Sequence, residues 1–195
     1  MMLSCGRDFA ALFYVMNMNF LYVLLIALVL FPFQVRAQVF DEVVDLGFGS
    51  FDFDTSYNAT IQLATNGVLN ISGSGIVSNG GETVGQIRIT SPDTGLVDIK
   101  CTSSAVLSDP TASDLTISSI EIAVNAGVAL GAGDACGGIG AGDPVAATID
   151  MDALPDPYVY IGGQIVINGV ITLPTDHTYS TNGAGTPVTI SVVVQ

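Results

Sequence analysis

Apolar and polar residues alternate along most of the chain beyond residue 38, most clearly near the C-terminus. Between residues 187 and 195, valine and isoleucine occupy every second position, with threonine and serine between them. A period of two is typical of a half-buried antiparallel β-strand. β-Branched residues dominate both this segment and 158–173, and Gly, Asn and Pro interrupt them. These last strands are therefore expected to close a β-sandwich.

Shorter alternating segments precede these two. They predict strands over 58–63, 68–71, 84–90, 96–101, 115–124 and 145–151. Asn66-Gly67 between the first two is a strong hairpin signal, because both residues tolerate positive φ. No segment beyond residue 38 has a helical period of useful length. About eight to ten short strands separated by turn signals predict an all-β antiparallel sandwich, with a barrel as the alternative closure.

Two segments depart from the alternating pattern. Val39–Leu46 carries acidic residues on both faces, which predicts an edge strand or a flexible arm rather than a central strand. Residues 126–144 are rich in Gly, Ala and Asp and short of large apolar groups, which predicts a long loop held by Cys136. Within 115–124, the alternation sets Ile120 and Ile122 against Glu121.

An unbroken apolar run, Phe20–Phe33, precedes this region, and small residues stand at positions −3 and −1 of a bond after Ala37. This pattern predicts a signal peptide over residues 1–37, removed by cleavage after Ala37. An uncleaved anchor is the competing interpretation, because residues 9–35 are apolar enough to span a bilayer. Cleavage leaves 38–195 as a single β-sandwich domain with no membrane span, secreted or held at the cell surface after passing through the periplasm.

The net charge of residues 38–195 limits the kinds of molecule that the protein can bind. Residues 38–195 keep Arg88 and Lys100 as their only cations, against 17 of the 18 acidic residues of the chain, a formal net charge of −15. Such a surface repels phosphate backbones and excludes nucleic-acid binding, and it also argues against docking on anionic lipid. Solubility of an extracellular protein explains the charge. Low-affinity binding of divalent cations is the alternative.

The cysteines indicate an oxidising compartment. Cys5 lies in the predicted signal peptide, which leaves Cys101 and Cys136. An even pair in an exported chain predicts one disulfide, which stabilises the fold by roughly 3–4 kcal/mol in the chain-entropy model. Structural zinc is the alternative, but two thiols and His177 are too few ligands for it.

Acidic residues supply the candidate metal ligands. Asp150 and Asp152 share one face of a predicted strand, and Asp134 and Asp143 each follow a glycine in the long loop. Carboxylate oxygens suit calcium, so a calcium site is an alternative to a plain polar surface. The nonapeptide period of calcium-binding solenoids is missing. No firm metal site and no other cofactor is predicted.

No catalytic constellation stands out. His177 is the only histidine, and no Gly-x-Ser-x-Gly elbow accompanies it, so it is expected to be a solvated turn residue. Asp150 and Asp152 could perform glycosidase chemistry, but the chain has no tryptophan to bind a sugar. Tyr158 and Tyr160 share a strand face where a ligand could stack, although aromatic packing is commoner. The chain is therefore not expected to be an enzyme.

Several motifs together carry a family resemblance. They are Phe48-Gly49-Ser50-Phe51, the strand 160–167, a turn at Tyr179 and the terminal Val-Thr-Ile-Ser-Val segment. Across most of Leu46–Gln195 the chain resembles the exported bacterial family catalogued as domain of unknown function 4402. The resemblance implies an Ig-like antiparallel β-sandwich, related in shape to pilus subunits of the chaperone–usher kind, without established catalytic residues. The cysteine pair and the Gly/Asp-rich loop depart from the usual pattern of that family. The resemblance therefore does not establish that this chain shares a binding surface with the family.

The chain is therefore expected to be an exported, non-catalytic structural or interaction protein that forms a surface filament by β-strand addition. The donor would be the arm 38–46, which would pair in cis or in trans. Its apolar residues are Val39, Phe40, Val43, Val44 and Leu46. The expected partners are further copies or other surface subunits. The alternative is a calcium- or carbohydrate-binding extracellular module.

Overall fold

The computed structural model describes residues 39–90, 95–108, 114–129, 131–167 and 185–195, which all belong to the compact unit Ala37–Gln195. These residues form β-strands, turns and loops, which confirms the all-β class. Over the same ranges, the structure contains no helix with the length and hydrophobicity needed to cross a membrane. The predicted signal peptide, His177 and Tyr179 lie outside the described residues, so those predictions stay predictions.

The described residues form eleven strands. They are β1 Val39–Val44, β2 Gly47–Leu63, β3 Leu69–Thr83, β4 Gly85–Thr90, β5 Leu96–Cys101, β6 Ala105–Leu107, β7 Leu115–Val124, β8 Asp134–Ala135, β9 Ala147–Asp150, β10 Tyr158–Ile167 and β11 Ile190–Val194. Eight strands make a large antiparallel sheet, and three make a small one in the order β11-β5-β9. The two sheets give the sandwich that the sequence pattern predicts.

β10 is the central strand of the large sheet. One of its edges pairs with β7. Its other edge pairs first with β4, along Tyr158–Ile161, and then with β2, along Gly163–Ile167. β1 pairs with the far edge of β4, and β3 pairs with the far edge of β2. The strand predicted to begin at Tyr158 is thus confirmed as far as Ile167, and the rest of that segment lies outside the described residues.

β2 and β3 form one long hairpin through the predicted Asn66-Gly67 turn. Gly67 has a φ of 85°, and its N–H donates to the Ala64 carbonyl at 3.0 Å. The pairing register shifts between Phe53 and Asn58, where four residues of β2 have no opposite partner. The end of the hairpin where Gly47 pairs with Thr83 is close to the start of β4, because only Val84 separates Thr83 from Gly85. The hairpin therefore bends at the register shift.

The hydrophobic core lies between the two sheets. Four isoleucines make a continuous row across the inner face of the large sheet: Ile71, Ile61, Ile165 and Ile117. Val97, Ile99 and Ile149 of the small sheet are buried against the same core. Ile61, Ile165 and Ile117 are buried, whereas Ile71 is half-buried. Fully burying one such side chain stabilises the fold by roughly 1.5–3 kcal/mol.

β11 closes the small sheet, as predicted. It pairs antiparallel with β5 along its whole length, from Ile190 opposite Cys101 to Val194 opposite Val97. Val188, Ile190 and Val192 pack against the core, which confirms the inward face that the period of two assigns to them. The alternation of apolar residues is therefore sufficient to orient this strand.

Candidate functional site: the edge strand β1 and its surroundings

β1 is an edge strand that pairs with its own chain. It runs antiparallel to β4, with Phe40 opposite Ile89 and Asp41 opposite Arg88. It stands at the end of the strand order, so within the described part of the chain its second hydrogen-bonding edge has no partner strand. The edge-strand prediction is thus confirmed, and the pairing within this chain is in cis.

The described side chains of β1 are only weakly buried. Phe40 is 44 % exposed and Val44 is 37 % exposed, although both belong to the apolar residues predicted for a donor strand. Leu46, just beyond β1, packs against the core instead. The side chains of Val39 and Val43 lie outside the description. Phe40 and Val44 are therefore not core residues, and the described contribution of β1 to the sheet is its main-chain pairing with β4.

A short connection links β1 to the rest of the domain. Only Asp45 and Leu46 separate β1 from β2. The Thr83 hydroxyl donates to the Asp45 carbonyl at 2.8 Å, which holds this connection against the end of β3. A short connection of this kind is a recognised hinge for exchanging a strand between copies, because extending it can satisfy the same pairing in another molecule.

One ion pair crosses the β1–β4 edge. Arg88 Nη2 lies 3.8 Å from Asp41 Oδ2, and both side chains are largely solvent-accessible. Exposed pairs of this type contribute about 0–1 kcal/mol, so this contact adds little to the stability of the β1–β4 pairing. The sequence did not reveal that Arg88 contacts Asp41. It did place Arg88 on the outward face of a predicted strand, because Ile87 and Ile89 point to the other face.

The predicted disulfide is present. Cys101 ends β5 in the small sheet, and Cys136 directly follows β8 of the large sheet, with the two sulfur atoms 1.95 Å apart. The Cys136 N–H donates to the Ile120 carbonyl at 2.9 Å, and the Gly138 N–H donates to the Cys101 carbonyl at 2.9 Å. The long loop is thus held at its middle, as the sequence predicts, and it also contains the two-residue strand β8.

The candidate calcium ligands do not converge. Asp134 lies in β8 opposite Ile122. Asp143 accepts from the Gly140 N–H at 2.7 Å, and Asp150 accepts from the Asp152 N–H at 3.0 Å. Within the described ranges, no three His, Cys, Asp or Glu side chains lie together in a way that could hold a metal ion. Asp143 and Asp150 therefore accept local turn hydrogen bonds, and Asp134 lies in a strand.

Glu121 is a buried acid that the sequence pattern did not single out. It is 5 % exposed, and its Oε2 accepts from the Gly131 N–H at 3.0 Å. Its Oε1 has no hydrogen-bond partner among the described residues. The alternation correctly set Glu121 against Ile120 and Ile122, but the face that it occupies is also covered. The long loop folds back over that face, and a period of two cannot reveal such a cover.

The outward face of the small sheet carries a polar cluster around Asp98. The Thr148 hydroxyl donates to Asp98 Oδ1, and this bond lowers the pKa of the Asp98 carboxyl, with further lowering from Gln195 and from the Lys100 charge. Lys100 Nζ itself donates to the Gly140 carbonyl at 2.9 Å. Both cations of residues 38–195 are thus engaged by their own domain.

Tyr158 and Tyr160 occupy one face of β10, as predicted. Both are half-buried and stand opposite Arg88 and Gln86 of β4, while Val159 between them is fully buried in the core. Their rings are therefore partly engaged with the sheet rather than presented as open stacking platforms.

Comparison of the chain with family models, curated proteins and solved structures returns no match.

Proposed function

We propose that this protein is an exported, non-catalytic structural or interaction protein whose copies join by exchanging β1. In the joined form, β1 of one copy would pair with β4 of the next, so that strand addition replaces the cis pairing. The single observation that carries the proposal is the state of β1: it is an edge strand with exposed apolar side chains, attached through two residues.

The exchange has a small energetic cost. Leaving the cis site would expose the covered parts of Phe40 and Val44, which are 44 % and 37 % exposed, and the trans site would cover them again. The trans site restores the same main-chain bonds and the same Arg88–Asp41 contact, so the two pairings are nearly equal in enthalpy. Because each copy donates one strand and accepts one, the contact is head-to-tail, and a head-to-tail contact that does not close forms a filament.

The expected location is the cell surface or the medium, and the expected partners are further copies or other surface subunits. Three features support this interpretation: the disulfide, which belongs to oxidising compartments, the strong excess of acidic residues, and the sequence resemblance to exported pilus-like domains. The alternative of a calcium-binding module gains no support, because no group of ligands forms among the described residues.

Negative-stain electron microscopy and sedimentation velocity test the proposal on the protein that starts at Gln38. A variant lacking residues 39–44 but keeping Leu46, which packs against the core, should remain folded and lose assembly. Val77→Ser is the matched control, because Val77 is 64 % exposed on β3, far along the chain from β1. Filaments that persist unchanged without residues 39–44 would rule the mechanism out.

A further inference from the structure

Part of the outward face of four neighbouring strands in the large sheet carries no charged side chain. The face consists of the outward side chains of segments 58–62, 70–74, 164–166 and 116–118, on β2, β3, β10 and β7. All of these side chains are Ser, Thr, Asn, Gln or Val. We call it the neutral face. The segments that form this face are uncharged, although residues 38–195 carry a net charge of −15.

The neutral face has an ordered amide ladder. Asn70, Gln62, Gln164 and Ser118 stand opposite one another on successive strands. Gln62 Nε2 donates to Gln164 Oε1 at 2.8 Å, and Asn70 Nδ2 donates to Gln62 Oε1 at 3.5 Å. The ladder leaves Gln164 Nε2 donors and the Asn70 Oδ1 acceptor without a partner among the described residues. Fixed donors and acceptors of this kind lose little conformational entropy when they bind a ligand.

A second row runs beside the ladder. Ser72, Thr60 and Val166 are again opposite one another on β3, β2 and β10. Thr116, two residues before Ser118 on β7, stands opposite Val106 of β6. Val166 is 40 % exposed and supplies an apolar contact between the flanking hydroxyl groups. Because neighbouring strands lie about 4.8 Å apart, the ladder spans roughly 14 Å. The two rows therefore form an extended platform of hydrogen-bonding groups rather than a point site.

Charge and composition select the partner class. A net charge of −15 repels nucleic acids and anionic polysaccharides. Protein interfaces centre on aromatic and other large apolar residues and are poor in serine, whereas Val166 is the single large apolar residue of this face. An uncharged polymer of sugars matches the face, since its hydroxyl groups pair with amides and hydroxyls and no charge has to be desolvated.

We infer that the neutral face binds an uncharged polysaccharide. β1 contributes no residue to this face, so the inference does not depend on strand exchange between copies. The face has no aromatic platform, so the affinity of one domain for the polymer is expected to be modest. Tyr158 and Tyr160 lie on the same face of β10 as Gln164 and Val166, but farther along the strand, opposite β4 rather than β2, so they stand outside the neutral face.

Affinity gel electrophoresis tests the inference with the folded protein from Gln38. Gels contain hydroxyethylcellulose or dextran as neutral probes and alginate as the anionic control. The wild-type protein should be retarded by at least one neutral polymer and not by alginate. Retardation by neither neutral polymer would overturn the inference.

Variants locate the site. Ser72→Asp and Thr116→Asp each place a charge on an exposed position of the neutral face, on two different strands. Each should raise the apparent Kd by about tenfold or more, because the carboxylate must be desolvated against the polymer. Ser103→Asp adds the same charge to an exposed loop and should bind as the wild type does. Thermal melts of all three confirm folding. Binding that is unchanged in both face variants would contradict the inference.

Discussion

Cys101 and Cys136 join the two sheets of the sandwich through one covalent bond, with Cα atoms 5.0 Å apart. Cys101 is fully buried at the end of β5, and Cys136 is 8 % exposed beside Ile120 of the large sheet. The bond thus connects the small sheet, the core and the long Gly/Asp-rich loop at one place. Among the described residues, it is the only disulfide between the two sheets.

Removing this disulfide should destabilise the fold substantially. The double variant Cys101→Ala/Cys136→Ala should lower the free energy of unfolding by roughly 3–4 kcal/mol, because a loop with a sequence separation of 35 is no longer closed in the unfolded state. Urea unfolding measures the change. Dithiothreitol should cause a similar loss in the wild type and none in the variant. A loss below about 1 kcal/mol would show that the bond does not constrain the unfolded chain in the expected way.

The isoleucine row of the inner face should be far more sensitive than its outward neighbours. Ile165→Ala should cost about 2–5 kcal/mol, since Ile165 is 3 % exposed and the truncation leaves a cavity. Val166→Ala on the same strand is the matched control and should change stability by about 0.5 kcal/mol or less, because Val166 is 40 % exposed. Chemical denaturation of both variants checks the assigned faces. Equal losses would mean that the faces of β10 are wrongly assigned.

Gly162 should tolerate no side chain. A Cβ atom there would clash with the Leu63 carbonyl oxygen and lie 3.0 Å from the Thr65 nitrogen, where the end of β2 crosses β10. Gly162→Ala should therefore destabilise the protein by about 1–3 kcal/mol through displaced backbone. Gly142→Ala, whose Cβ would meet nothing within 4 Å, should be nearly neutral. Thermal unfolding compares the two, and similar melting temperatures would contradict the close crossing.

The bond between Thr148 and Asp98 should make stability depend on pH. Because the pKa of folded Asp98 lies below its ordinary value of 3.8, its contribution is present above that pH and is lost as pH falls through the folded pKa. Thr148→Val removes the largest cause and should raise the pKa of Asp98, as followed by NMR titration. The variant should be less stable than the wild type at pH 6, by a difference that shrinks toward pH 2.

Thr116→Val is the control for the Thr148 variant. Thr116 is also an exposed strand threonine, and it donates no hydrogen bond to a carboxylate among the described residues. Its stability difference from the wild type should be the same at both pH values. If the stability difference of this control depended on pH as strongly as that of Thr148→Val, the hydrogen bond to Asp98 would not be the cause of the pH dependence.

Local patterns predicted much of the fold. The period of two placed Ile190 and Val192 toward the core, and the turn preference of Asn66-Gly67 placed the β2–β3 hairpin. Both depend on interactions between residues close in sequence. The cysteine pair was also predictable, because two thiols in a chain that is predicted to be exported have few alternatives to a disulfide.

Long-range packing explains what the sequence did not reveal. The residues next to Glu121 in the sequence do not indicate that the loop after β7 packs over its side chain. The predicted strand 58–63 is only the last part of β2, which begins at Gly47 and continues across the register shift between Phe53 and Asn58. The ion pair between Arg88 and Asp41 could likewise be predicted only if β4 were known to be the neighbour of β1. Strand order is set by the whole core and not by local pattern.

Cysteine cross-linking between β1 and β4 tests strand exchange most directly. Asp41 and Arg88 are opposite one another in the register, so Asp41→Cys/Arg88→Cys brings two thiols together whether the pairing is in cis or in trans. Oxidation at a concentration that favours assembly, followed by non-reducing electrophoresis, separates the two cases. Strand exchange between copies predicts a ladder of covalent multimers that collapses on reduction. Cross-linked monomers alone, at every protein concentration, would contradict it.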